Sequence, residues 1–65
     1  MKYKIEITPI GVLKYESALY RRVLFFFWKR ECTTWANTVH SEVVIEWQKE
    51  YNIPSSKVYF IHQRP

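Results

Sequence analysis

The feature that most constrains this chain is an unbroken apolar run at residues 23–28, Val-Leu-Phe-Phe-Phe-Trp, with two basic residues on either side. A membrane-spanning helix needs roughly 20 apolar residues, so this run is far too short to cross a bilayer. Its β-branched and aromatic side chains instead favour a strand that is buried on both faces. Because a 65-residue chain has few elements with which to cover two faces, the run indicates a surface that binds a partner.

Length and composition predict one compact domain over residues 1–65. Hydrophobic residues make up 48% of the chain and glycine occurs once, so we do not expect disorder. Cys32 is the one cysteine, which excludes an intramolecular disulfide. Neither a secretory leader nor a membrane-spanning segment follows Met1. We therefore expect a cytoplasmic protein that does not bind a membrane.

Two strands are predicted in the first half of the chain. Residues 2–8 alternate between apolar and polar side chains, as a half-exposed strand does. A proline and a glycine within residues 8–11 favour a type I turn that ends this strand. Residues 12–20 fit either a short helix capped by Ser17 or an irregular return. Residues 20–29 are predicted to form the second strand.

A single amphipathic helix is predicted over residues 34–51. Either Thr33 or Thr34 can cap its first turn, and Asn52 can end it in a left-handed conformation before Pro54. A helix with one apolar half packs that half against a core. At 100° per residue, the side chains that share this half are Trp35, Ala36, Val39, His40, Val43, Val44, Trp47 and Tyr51.

A third strand over residues 57–62 completes an α+β fold with the order β-β-α-β. Because a helix connects the second and third strands, these two strands are predicted to run parallel, with the first strand antiparallel to both. The expected structure is a three-stranded mixed sheet with the helix packed on one face. The sequence offers no further element to cover the opposite face.

Residues that could support catalysis or metal binding do not form a recognisable site. Cys32, at the predicted helix N-terminus beside Lys29 and Arg30, has an environment that stabilises a thiolate. His40 falls within the apolar half of the helix and His62 ends a strand, so neither is placed as a base. Metal binding would need Cys32 and both histidines to converge without a closely spaced ligand pair. We therefore expect no enzymatic activity, no metal and no cofactor.

Charge is distributed unevenly along the chain. Residues 1–30 contain seven basic and two acidic side chains, whereas residues 31–65 contain three basic and four acidic ones. Glu42, Glu46 and Glu50 form a like-charge stripe on the predicted helix, and each contact costs the isolated helix about 0.2–0.5 kcal/mol. Basic residues at the ends of the second strand could pair with this stripe, or the stripe could be solvated or bind a basic protein.

The aromatic residues suggest two kinds of binding surface. Aromatic side chains and arginine are enriched in protein interfaces, which favours a larger protein or a second copy as partner. The residues predicted for this interface are Phe25, Phe26, Phe27, Trp28, Tyr59 and Ile45. The alternative is a single-stranded RNA or DNA site with stacking rings and phosphate-binding bases, formed by Arg21, Arg22, Lys29, Arg30 and Tyr20. Stacking surfaces interleave rings with basic residues, and here this occurs only at the ends of the apolar run, so the protein partner is preferred.

Overall fold

The computed structural model describes residues 2–24 and 27–61, which form one mixed sheet and one helix. The strands are β1 Tyr3–Gly11, β2 Lys14–Val23, β3 Phe27–Ala36 and β4 Val58–Phe60. The helix α1, Glu42–Glu50, lies between β3 and β4 in the chain. A short 3-10 helix, Ser55–Lys57, precedes β4. The strand order in the sheet is β3-β2-β1-β4, and the expected α+β class is confirmed.

The sheet has four strands rather than the three that were predicted. The single strand expected over residues 20–29 is divided between β2 and β3, and residues 12–20 form a tight turn followed by most of β2. Leu24, which follows β2, has a φ of 51°. This left-handed conformation is uncommon for leucine, and the apolar run contains none of the glycine, asparagine or proline residues that usually mark a turn. The sequence pattern therefore did not predict this turn.

The direction of the last strand also differs from the prediction. β2 pairs antiparallel with β1 and with β3, whereas β4 pairs parallel with β1. β3 and β4, the strands that the helix connects, therefore run in the same direction as expected, but they lie at opposite edges of the sheet. The prediction that the first strand is antiparallel to the last is wrong, because β1 and β4 are parallel. The connection through α1 crosses over the two central strands and returns the chain to the far edge of the sheet, so that α1 covers β1 and β2.

The helix begins later than predicted, because the residues before it form a strand. Ser41 is the N-cap, and its Oγ accepts a hydrogen bond from the backbone N–H of Val44 at 3.4 Å. Thr33 and Thr34, which were expected to be caps, lie in β3 opposite residues of β2. Their β-branched side chains favour extended backbone. The helical periodicity had also included Trp35, which belongs to β3.

The end of α1 agrees with the prediction. Asn52 has a φ of 55°, and the backbone N–H of Ile53 donates to the carbonyl oxygen of Gln48 at 2.9 Å. This pattern is a Schellman motif, which satisfies a carbonyl group that the last helical turn leaves unpaired. It also directs Ile53 back into the core, where its side chain is buried.

The core lies between α1 and one face of the sheet. Ile5 and Ile7 alternate with polar residues of β1, and Leu19 lies opposite Ile5, so all three face α1. The buried cluster comprises Ile5, Ile7, Leu19, Val44, Trp47 and Ile53. Ile45, which is absent from the apolar half predicted for the helix, lies on the exposed side of α1. We call the opposite surface of the sheet the open face, because no helix of the described residues covers it.

Two buried serines should respond in opposite ways to replacement by alanine. The Oγ of Ser17 is buried and has no hydrogen-bond partner among the described residues, so Ser17→Ala removes an unsatisfied polar group and should stabilise the fold by about 1 kcal/mol. Ser41→Ala removes the helix cap and should destabilise it by about 1 kcal/mol. Urea denaturation followed by circular dichroism measures both. If Ser17→Ala is destabilising, its hydroxyl has a partner in solution.

Candidate binding surfaces

The predicted protein interface is divided over separate parts of the molecule. Trp28 and Tyr59 lie on the open face. Phe27 precedes Trp28 in β3, so its side chain leaves the sheet on the opposite side, and Ile45 lies on the outer surface of α1. Phe25 and Phe26 lie outside the described residues.

The predicted nucleic-acid residues are likewise divided between the two sides of the sheet. Tyr20, Arg22 and Arg30 belong to the open face. Arg21 and Lys29 lie opposite each other on the helix side. Arg21 is also ion-paired, because its Nε lies 3.3 Å from Oε2 of Glu31 on β3. The structure thus distinguishes two groups of basic residues that adjoin one another in the sequence.

A β-bulge determines which basic residue of β3 reaches the open face. Cys32 lies opposite Leu19, but the pairing then shifts, and Arg30 lies opposite Tyr20. Without the shift, Arg30 and Cys32 would project from the same side of the strand, since they are two residues apart. The bulge places Arg30 on the open face and leaves Cys32 on the helix side.

Lys4 lies at the centre of an aromatic cluster on the open face. Its Nζ is 4.5 Å from the ring centroid of Trp28, 5.5 Å from that of Tyr20 and 5.9 Å from that of Tyr59. Its Nζ also lies 2.8 Å from Oε2 of Glu6, which offsets its charge. The four strands therefore contribute to one surface in which cations and rings alternate. The sequence reasoning missed this interleaving because it arises across strands rather than along the chain.

Arg30 extends this cluster to the edge of the sheet. Its Nε and Nη2 donate to the hydroxyl oxygen of Tyr20 at 3.2 and 2.8 Å, and its guanidinium carbon lies 5.5 Å from the centroid of the Tyr20 ring. The hydrogen bond to Tyr20 raises the pKa of Arg30 above its ordinary value. Like other arginine side chains, this guanidinium is positively charged at physiological pH.

The positive charge of the molecule is concentrated at the end of the sheet where β2 leads into β3. We call this part the basic end. The backbone N–H of Arg22 donates to the carbonyl oxygen of Lys2 at 2.7 Å, which brings the start of β1 to the same end. It carries six basic residues, Lys2, Lys4, Arg21, Arg22, Lys29 and Arg30, against Glu6 and Glu31. The remaining described residues include three basic and four acidic side chains.

The opposite end of the sheet is apolar. In the turn between β1 and β2, Val12 is 94% exposed and Leu13 is 72% exposed, and Trp35 beside them is 57% exposed. These side chains line an open depression of about 310 Å³, together with Lys14, Ala36 and Asn37. We call this surface the apolar end. The sequence reasoning missed it because residues 12–20 were unassigned and Trp35 was placed on the buried side of a helix.

Leu13 occupies its turn at a conformational cost. Its φ is 52°, in the left-handed region where glycine and asparagine are favoured. A largely exposed leucine contributes little to the core, so neither packing nor turn geometry explains this residue. Violations of local sequence preference are typical of functional positions.

The outer edge of β3 differs between its two halves. β3 is the terminal strand of the sheet, so its outer backbone groups are not paired with any other described strand. The half next to the basic end contains the β-bulge and three charged residues, Lys29, Arg30 and Glu31. Charged side chains and bulges at a sheet edge disfavour pairing with a strand of another molecule. The half from residue 32 to residue 36 is uncharged and contains two threonines.

The residues considered for catalysis lie apart from one another. Cys32 is exposed in β3 and not at a helix N-terminus, so the expected activation by a helix is wrong. His40 precedes α1 rather than lying within it, and its ring contacts Phe60 edge-on at 5.9 Å. His62 lies outside the described residues. Within residues 2–24 and 27–61, no three potential ligands are grouped as a metal ion would require.

The acidic stripe of α1 does not pair with the basic residues of the sheet. Glu42, Glu46 and Glu50 are exposed, and the ion pairs among the described residues are Lys4–Glu6 and Arg21–Glu31. Of the alternatives for this stripe, internal pairing is therefore not found among the described residues, and the three carboxylates are exposed. No helix in the described part of the chain has the length and apolar character that crossing a membrane demands.

Comparisons with protein-family models, with curated proteins and with solved structures found no match to this chain.

Proposed function

We propose that this chain is a non-enzymatic protein-interaction module that binds a second copy of itself through the apolar end and the adjoining edge of β3. The observation that carries the proposal is the exposed cluster of Val12, Leu13 and Trp35 beside a terminal strand. Contiguous exposed apolar surface is typical of interaction sites. Leu13 differs from the similarly strained Leu24 in lying beside two other exposed apolar side chains, which it joins in one depression.

A second copy is the occupant that fits the edge of β3. In an antiparallel pair related by a two-fold axis at Thr34, Cys32 lies opposite Ala36 of the second copy and Thr33 lies opposite its Trp35. Such a pairing is self-complementary, as a two-fold interface requires. The paired segments carry no charge, so no like charges are opposed. The charged half of β3 lies outside the pairing in both copies.

The decisive variant is Leu13→Asn, which should separate association from folding. Asparagine tolerates the left-handed conformation better than leucine, so the monomer should gain about 0.5–1 kcal/mol of stability. Loss of the apolar side chain should abolish the dimer. We expect wild type to sediment as a dimer at micromolar concentration and Leu13→Asn as a monomer, while denaturation of dilute samples shows the gain in stability.

Leu24→Asn is the matched control for this experiment. Leu24 is also exposed and has a φ of 51°, but it lies at the basic end. The substitution should stabilise the monomer to a similar extent and leave the dimer intact. The proposal is wrong if wild type sediments as a monomer. The proposed position of the dimer interface is wrong if Leu24→Asn dissociates the dimer while Leu13→Asn does not.

The register of the pairing can be tested with the native cysteine. Ala36→Cys places a second thiol opposite Cys32 of the second copy, and mild oxidation should yield a covalent dimer that dithiothreitol reverses. Positions 32 and 36 of one chain are roughly 13 Å apart along an extended strand, beyond the ~7 Å limit for a disulfide. Asn37→Cys, out of register by one residue, is the control. Equal cross-linking of both variants contradicts this register.

A further inference from the structure

The open face at the basic end presents a second surface that the protein interface does not use. It combines exposed rings with cations that have no acidic partner among the described residues. Trp28 and Tyr59 are 37% and 41% exposed. Arg22 and Arg30 lie on the same face, and the ion pairs that the structure describes involve neither of them. The exposed rings and the two arginines lie far from the turn at Leu13, because the strands β2 and β3 run the length of the sheet between them.

We infer that this surface binds single-stranded nucleic acid. Unpaired bases stack on aromatic rings, and the sugar-phosphate backbone is bound by neighbouring arginine and lysine side chains. Trp28 and Tyr59 supply the exposed rings, and Arg22 and Arg30 supply cations on the same face. The six basic and two acidic residues of the basic end provide charge complementarity to a polyanion.

Lys4 has a positioning role in this surface. Its Nζ lies 4.5 Å from the centroid of Trp28 and is ion-paired with Glu6. The attraction between this cation and the ring favours the packing of Trp28 on the open face beside Lys4. Because its own charge is offset by Glu6, Lys4 contributes less than the arginines to phosphate binding.

The division of the basic residues between the two sides of the sheet makes the inference testable. Phosphate contacts make affinity depend on salt, with a slope of log affinity against log salt of about −0.7 for each phosphate bound on a single strand. Arg22→Gln and Arg30→Gln should each reduce the steepness of this slope by about 0.7. Arg21→Gln and Lys29→Gln remove the same charge from the same two strands on the helix side, and should change the slope much less.

The rings provide an independent arm of the experiment. Stacking contributes on the order of 1–3 kcal/mol per base, so Trp28→Ala should weaken binding about fivefold or more. Phe27→Ala, at the adjacent position on the other side of β3, is the matched control and should leave affinity within about twofold of wild type. Circular dichroism of each variant verifies that the fold is retained.

The measurement is fluorescence anisotropy with a labelled oligo(dT), a labelled RNA of the same length and a duplex, from about 50 to about 200 mM salt. The inference is supported if either single strand binds more tightly than the duplex and the variants show the expected pattern. Comparison of oligo(dT) with the RNA then shows whether DNA or RNA is preferred. Equal affinity for the duplex indicates general attraction of polyanions and contradicts it. Absence of binding at the lowest salt also contradicts it and leaves the surface to a protein partner. Neither result bears on the dimer, which involves the other end of the sheet.

Discussion

Trp47→Ala should unfold most of the protein at room temperature. Trp47 is 9% exposed and lies in the core between α1 and the central strands. Removing a buried tryptophan destabilises a protein by about 3–5 kcal/mol, through lost burial and the remaining cavity. A single core of this size supplies little more than about 3–5 kcal/mol in total. Far-ultraviolet circular dichroism without denaturant should therefore show loss of most of the native signal.

Ile45→Ala is the control on the same helix. Ile45 is 43% exposed, so its truncation should change the free energy of unfolding by less than about 1 kcal/mol. A ranking in which Ile45→Ala is the more destabilising of the two would mean that α1 packs through a different side in solution.

Leu19→Ala should lower the free energy of unfolding by an amount similar to that expected for Trp47→Ala. Leu19 is 1% exposed on β2 and lies opposite Ile5 in the centre of the core. Truncation of a buried leucine costs about 2–5 kcal/mol. Leu24→Ala, which makes the same chemical change at an exposed position, should cost less than about 0.5 kcal/mol. Thermal denaturation of the pair gives the comparison, and equal midpoints for the two variants would contradict the assigned core.

Short sequence patterns predicted the structure correctly where a few neighbouring residues determine the local backbone or the buried side of an element. The alternation in β1 predicted its buried side, and Asn52 predicted how α1 ends. The spacing of Val44 and Trp47 also placed the buried side of the helix correctly. In each case the chemical signal lies within a few residues of the structure that it specifies.

The prediction was wrong where the structure depends on pairing between distant segments. The apolar run was interpreted as one strand because the turn at Leu24 has no typical turn residue. Thr33, Thr34 and Trp35 fit the helical apolar periodicity as well as a strand, and pairing with β2 decides in favour of the strand. The parallel pairing of β4 with β1 likewise depends on the path of the whole crossover.

The candidate binding surfaces were the least predictable feature. Alternation along β3 separates Trp28 from Phe27 and Arg30 from Lys29, and the bulge separates Arg30 from Cys32. Surfaces composed of residues from four strands cannot be identified from adjacency in the sequence, because neighbours in a strand project in opposite directions. Of the residues predicted for a nucleic-acid site, the structure places Tyr20, Arg22 and Arg30 on the open face, and Arg21 and Lys29 on the helix side.

β3 carries both proposed contacts on one continuous strand, and this has a consequence for avidity. Trp28 lies six residues from Thr34, or roughly 20 Å along an extended strand. In the antiparallel dimer the two strands run away from the axis, so the two open-face surfaces lie about 40 Å apart along the strands. A single strand long enough to reach both would engage the second surface at a high effective concentration. Dimerisation would thereby convert two weak, salt-sensitive contacts into one bivalent attachment that discriminates polynucleotides by length.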